Sequence, residues 1–201
     1  MTMDRHIPDW LDVSRETIEK LGYYVAEVLR WNATINLVSK SSVAEIWQRH
    51  VLDSAQLFPL AESQGKWVDL GAGAGFPGIV IAIMGARQMV LVESDQRKAT
   101  FLREIVRQLS LPVIVFAKRI DAIESLAAET VSARALASLT DLLGHVTPHL
   151  ALGGRAIFPK GRGFEEELKL AQADWTFDAT KIPSRTDPEA AVLIIENIRR
   201  R

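Results

Sequence analysis

Residues 67–78 read Trp-Val-Asp-Leu-Gly-Ala-Gly-Ala-Gly-Phe-Pro-Gly, and no other stretch limits the possible folds of this chain so tightly. An apolar strand ends at Asp69, glycines follow at 71, 73 and 75, and Pro77-Gly78 leads into the apolar run Ile79–Met84. Glycine at alternate positions lets the backbone turn sharply and lets a ligand approach main-chain atoms closely. Pro77 suits the first position of a helix, where a missing N–H is no loss. The next apolar run, Met89–Val92, ends in Glu93, a second carboxylate at a second strand tip. A glycine turn beside an acid on the neighbouring strand tip is how an open α/β sheet holds a nucleoside.

The remainder of the chain suits such a sheet. Strands are expected near 66–70, 89–93, 113–117, 131–135, 154–159, 174–181 and 191–198, and helices near 77–85, 95–109, 120–129, 138–150 and 164–173. This alternation predicts a mostly parallel sheet with helices on both faces. The last two strands have only Pro183–Pro188 between them, so they form an antiparallel pair at the sheet edge. Upstream, residues 14–30 read as an amphipathic helix with Ile18, Leu21, Val25 and Val28 on one face. Residues 43–58 read as a second helix, opened by the capping box Ser42-Val-Ala-Glu45. Trp31–Ser39 is the loop between them. The expected organisation is a helical extension over 1–60 packed on a domain over 61–201.

Two cofactors fit the glycine loop. Gly73-Ala-Gly-Phe-Pro-Gly78 satisfies the dinucleotide pattern, with Glu93 as the acid about 20 residues on. An NAD(P)-dependent oxidoreductase is therefore the alternative reading. The overlapping D-x-G-x-G from Asp69 resembles the S-adenosylmethionine (AdoMet) loop of class I methyltransferases, and two features favour it. Asp69 stands just before the turn, where a pyrophosphate would make a carboxylate unwelcome. AdoMet brings a cationic sulfonium and an amino group that carboxylates attract. The antiparallel final pair is also a trait of class I methyltransferase sheets.

Composition narrows the chemistry further. The chain has no cysteine, which excludes disulfides, thiolate zinc sites and methylation through a cysteine nucleophile. There is no secretory leader pattern and no long charge-free apolar run, so a cytoplasmic protein that does not span a membrane is expected. The formal net charge is −1, yet residues 66–162 hold 12 Lys/Arg against 8 Asp/Glu, and the chain ends Arg199-Arg200-Arg201. Any RNA footprint is then a local patch that recognises a particular shape. A monomer is expected.

Ligands sit beyond the carboxyl ends of the strands in a sheet of this kind, which makes the following residues candidates. After the third strand, Asp121 either accepts from an adenine amino group or caps the helix at 120–129, with the Ile120 backbone beside the ring. Arg134 follows the fourth strand and faces a ligand or makes a structural salt bridge. Lys160 follows the fifth. His145 and His149 lie four apart, but Pro148 breaks the helix and no carboxylate lies between them, so no metal site is expected.

Arg49-His-Val-Leu-Asp-Ser54, Val68–Gly78, Ala133-Arg-Ala-Leu-Ala-Ser-Leu139 and Lys160-Gly161 occur together and in order. That set closely resembles the small-subunit ribosomal RNA methyltransferase G family of bacteria, also called glucose-inhibited division protein B. The resemblance runs from about Trp31 to the C-terminus. It implies methyl transfer from AdoMet to N7 of one guanine in 16S ribosomal RNA, with the small ribosomal subunit or its RNA as partner. Carried over by position, the cofactor contacts fall on Gly71, Phe76, Ile120, Asp121 and Arg134. Asp69, Gly73 and Glu93 join them from their places at the strand tips and in the loop. Arg49, His50, Lys160 and Arg199–Arg201 are the RNA-binding candidates. No catalytic residue is expected, because guanine N7 has a free lone pair and needs no general base.

Overall fold

The computed structural model describes residues 6–61 and 65–201. Residues 1–5, within the expected helical extension, and 62–64, beside its boundary with the sheet domain, lie outside the described residues. The elements are α1 (Arg15–Asn32), α2 (Asp53–Ala55), β1 (Lys66–Leu70), α3 (Gly78–Ile83), β2 (Gln88–Val92), α4 (Gln96–Gln108), β3 (Val113–Phe116), β4 (Ala128–Ala133), α5 (Leu139–Val146), β5 (Leu150–Lys160), α6 (Phe164–Asp174), β6 (Trp175–Pro183) and β7 (Ala191–Arg200). Seven strands form one sheet in the order β3-β2-β1-β4-β5-β7-β6. β1 to β5 run parallel, while β7 inserts antiparallel between β5 and β6.

Side-chain alternation along the central strands builds a core on each face. Trp67, Met89 and Leu91 point to one face and pack with α1, α3, α4 and the 46–57 segment. Val68, Leu70, Val90 and Val92 point to the other and pack with α5 and α6. Leu21, Tyr24, Val25 and Val28 of α1 lie in the first of these cores, so the N-terminal helix covers the sheet with its apolar stripe. No helix among the described residues is long and apolar enough to cross a membrane.

The structure departs from the sequence reading at three places. The helix expected over 120–129 is a single 3-10 turn, Ile120–Ala122. Ala127 has φ 45°, and Ala128 already belongs to β4, which pairs with β1 and β5. Strand pairing here overrides the helix propensity of an Ala/Glu-rich run. The helix expected over 43–58 is a 3-10 turn, Lys40–Ser42, followed by a π-helical turn, Trp47–Leu52, and the short α2. Its capping box does not form. Ser39 caps the first turn instead, buried Ser42 donates to the Ser39 carbonyl, and Glu45 pairs with Arg49 at 2.6 Å. Pro77 precedes α3 as its cap residue, one position earlier than expected.

Beneath the glycine loop, Asp69 ties three elements together. It is 1% exposed; its Oδ1 accepts from Ser132 Oγ on β4 at 2.8 Å and its Oδ2 from the Gly78 N–H at 3.0 Å. Ser132 also accepts from Trp67 Nε1 at 3.0 Å. A Cβ on Gly78 would stand 2.3 Å from Leu91 and 2.9 Å from the Asp69 carboxylate, so only glycine lets α3 start this close to the sheet. Asp69, expected at the cofactor, is therefore a buried brace under the loop. Burial pushes its carboxyl up to about 7, against the pull of the Ser132 and Gly78 donors.

That shift carries a pH signature. Between the ordinary carboxylate range and pH 7 the folded state holds a proton that the unfolded state has released. Stability attributable to Asp69 therefore falls as pH rises through this window, by at most about 1.4 kcal/mol per unit. Denaturant unfolding of the protein and of its Asp69→Asn variant from pH 4.5 to 7.5 should show this slope only in the former. Equal slopes in both would contradict a raised Asp69.

Candidate functional site

The carboxyl ends of the parallel strands open into a cavity of about 1010 Å³. The strand order reverses direction between β1 and β4, the switch point where open α/β sheets bind ligands. The glycine loop Gly71–Ala74 forms one wall, the π-helical turn with Arg49 and His50 a second, and the Ser184–Ala190 turn a third.

Gly73 sits at φ 57°, and a Cβ there would meet only the Gly71 carbonyl oxygen, at 3.8 Å. Its open side lets a ligand lie directly against the backbone. Glu93, at the tip of β2, accepts from the Gly73 N–H at 2.7 Å and the Asp95 N–H at 2.8 Å through separate oxygens. Each oxygen keeps lone-pair capacity for a further donor such as a sugar hydroxyl. The carboxylate is thus aimed and held without being used up.

A stack of side chains borders the loop. The Phe76 and His50 rings lie 4.9 Å apart and 25° from parallel, and the Arg134 guanidinium lies 5.5 Å from the Phe76 ring centre. Arg134 contacts His50 Nδ1 at 2.5 Å, donates to the Arg49 carbonyl at 3.1 Å and pairs with Asp53 at 3.5 Å. Guanidinium offers only donors, so Nδ1 accepts and Nε2 carries the imidazole proton. Burial, then the Arg134 and Arg49 charges, lowers His50 to about 4, which leaves it neutral at physiological pH. From below, Tyr24 of α1 donates its hydroxyl to the Ala74 carbonyl at 2.6 Å and packs 5.1 Å from Phe76.

Gly71, Gly73, Phe76, Arg134, Arg49, His50 and Lys160 all line this cavity, and Glu93 joins it through Gly73. Ile120 and Asp121 stand apart, in the turn beyond β3; Asp121 is an exposed partner of Arg119 at 3.1 Å. Asp121 caps no helix, since that helix is absent and Arg119 holds the cap position. Lys160 is committed inward, donating to Glu167 at 2.7 Å while Glu167 also accepts from the Leu139 N–H. Arg199 and Arg200 end β7, whose first residue Ala191 pairs with Lys160. They lie eight or more residues along the strand from the cavity, roughly 26 Å at strand rise, and Arg200 covers Trp175. The structure does not bring the terminal arginines to the site.

Tyr24, Ser132, Asp53 and Lys98 were not among the candidates. Tyr24 had a detectable signal, being three residues from Leu21 on the apolar face of α1, where a buried hydroxyl requires a partner. The others are ordinary polar residues whose role comes only from the fold that gathers them.

The fold is that of a class I AdoMet-dependent methyltransferase. The solved structure of TrmI from Aquifex aeolicus, a tRNA (m1A58) methyltransferase, superposes with TM-score 0.61 at 11% identity, covering 88% of this chain and 76% of that one. The M. jannaschii TYW2 in complex with AdoMet gives 0.58 at 16% identity, covering 84% of this chain and 80% of that one. Within that fold, the chain belongs to the rRNA small subunit methyltransferase G family, whose profile matches residues 17–191. A ribosomal RNA small subunit methyltransferase G of Paramagnetospirillum magneticum is 50% identical over 94% of this chain and 92% of its own length. One of Ruegeria pomeroyi is 44% identical over 96% and 98%. Family membership decides between the two cofactors in favour of AdoMet.

The residues present fit that cofactor: an open glycine wall, a held carboxylate and a guanidinium at one cavity. Gly73→Val should abolish AdoMet binding in calorimetry while circular dichroism stays native, because its side chain would project into the cavity and not into the core, and a β-branched residue at φ 57° would strain the loop alone. A variant that binds AdoMet normally would overturn this placement.

Proposed function

We propose that this protein transfers a methyl group from AdoMet to N7 of a guanine in 16S ribosomal RNA. The observation that carries the reading is the cavity itself, a glycine cradle on one side and a neutral, base-free aromatic wall on the other, in a chain of this family. AdoMet, when bound, supplies an electrophilic methyl on its sulfonium.

The protein's own residues bind, orient and exclude water. The Gly71–Ala74 backbone would hold the cofactor, Glu93 would accept from its ribose hydroxyls, and Arg134 would pair with its carboxylate. Ile120 and Asp121, in the turn beyond β3 and outside the cavity lining, would hold the adenine end only where the cofactor extends past the glycine loop. Phe76, held between Tyr24 and His50, gives the site a water-excluding face. Guanine N7 has its lone pair free, so no group need take a proton from it, and catalysis reduces to alignment of two reactants. The ring gains positive charge as it reacts. A neutral His50 adds no opposing charge, and Asp53 draws the Arg134 cation aside. Exposed Arg49 and half-buried Lys98, on the cavity rim, are placed to meet RNA phosphates.

Labelled AdoMet, the purified protein and small ribosomal subunits from a strain lacking it should yield label in 7-methylguanosine after nuclease digestion and mass spectrometry. Label in another nucleoside would overturn the assigned atom, and no label in RNA would overturn the substrate. Glu93→Ala should weaken AdoMet binding by roughly 1–3 kcal/mol, the range for a lost charge-assisted hydrogen bond. Unchanged affinity would remove Glu93 from the site.

A further inference from the structure

Two neighbouring features of the cavity have no part in the reading above: Gln56, in the stretch that follows Arg49 and His50, and the side chains of the Ser184–Ala190 turn between β6 and β7. The structure ties them together through Gln56. This side chain is 4% exposed, in a segment that borders the cavity. Its Nε2 donates to Asp53 Oδ1 at 2.9 Å and lies within 3.2 Å of Ser184 Oγ and 3.4 Å of Thr186 Oγ1. Its Oε1 accepts from the Arg185 N–H at 2.8 Å. Thr186 closes the ring by donating its hydroxyl to Asp53 Oδ1 at 3.0 Å, and Gln48 Nε2 reaches the Thr186 carbonyl at 3.4 Å. A buried amide that meets Asp53 on its own segment and Ser184, Arg185 and Thr186 on the turn ties the turn to that segment.

The turn stands over the half of the cavity away from the glycine loop. It precedes Ala191, which pairs with Lys160 at the carboxyl end of β5. β4 and β5 separate β7 from β1, so the turn lies about three strand spacings, roughly 14 Å, from the cofactor cradle. The wall is polar and lined by Ser184, Thr186, Asp187 and Pro188. A base in a folded RNA reaches a recessed cavity by swinging out of its stack, and the pocket that receives it must hold it still. Alignment to within an ångström is what this chemistry requires of the protein.

We propose that the Ser184–Ala190 turn is the wall against which the extruded target nucleotide is seated, and that Gln56 and Thr186 are positioning residues for the RNA and not for the cofactor. The proposal rests on the methyl-transfer reading above. Asp53 joins the two halves of the site, since one of its oxygens takes Thr186 and Gln56 while the other faces Arg134.

The test compares Thr186→Val, Thr186→Ser and Gln56→Ala with the unaltered protein, using small ribosomal subunits as methyl acceptor and AdoMet alone in calorimetry. Thr186→Val keeps the side chain's shape on a surface turn and removes only the hydroxyl, so it tests the idea even if Gln56→Ala folds poorly. It should raise KM for the subunits about fivefold, the factor carried by one lost hydrogen bond, with AdoMet Kd within twofold of normal. Thr186→Ser should restore KM. An unchanged KM in Thr186→Val would overturn the proposal, as would an AdoMet Kd that rises in parallel with KM. If the unaltered protein methylates no RNA in the same assay, the underlying function falls first, and the proposal with it.

Discussion

The cofactor cradle depends on one buried carboxylate. Asp69 receives Ser132 from the neighbouring strand and Gly78 from the start of the following helix, and so fixes both ends of a loop with little rigidity of its own. Burying a carboxyl costs free energy, and the raised Asp69 pKa expresses that cost. Two well-directed donors offset it. In return, Gly73 presents an open backbone wall and its N–H aims Glu93. Tyr24 adds the last restraint from below through the Ala74 carbonyl.

The sheet then divides the lining residues into two groups. Strands β1, β2 and β3 carry the glycine loop, Glu93 and the Ile120–Ala122 turn on one side of the switch point. Strands β4, β5 and β7 carry Arg134, Lys160 and the Ser184–Ala190 turn on the other. Arg134 and Asp53 meet at the boundary, where the π-helical turn brings the Arg49 carbonyl and His50 within reach. Local widening of a helix of this kind is concentrated at functional sites. A regular helix over 43–58 would have presented these residues at a different register.

Much of this was legible in the residues. Strand periodicity and the glycine spacing placed the sheet, the loop and the Glu93 tip, and the short Pro183–Pro188 link announced the antiparallel end. What escaped has a common physical cause. The 120–129 segment has helical composition but is claimed by β4 pairing, and the Ser42 capping box yielded to Ser39. Asp69 was recognised as important but assigned to the ligand, because a motif states which residue is present and not which way its oxygens point. Gln56 and Thr186 carry no local signature, since their partners are 130 residues away. The terminal arginines show the converse, a visible charge run that its strand carries away from the cavity to the far end of the sheet.

The central claim is that cofactor and nucleotide occupy opposite sides of the β1–β4 boundary, and hydrogen exchange of the backbone amides reads it directly. With AdoMet alone, slowed exchange should be confined to 71–76, 93–95 and 120–122, with the 184–190 turn unaltered. Adding small ribosomal subunits should then slow 184–190 and 48–56. Protection of the turn by AdoMet alone, with no change in the glycine loop, would contradict this arrangement of the site.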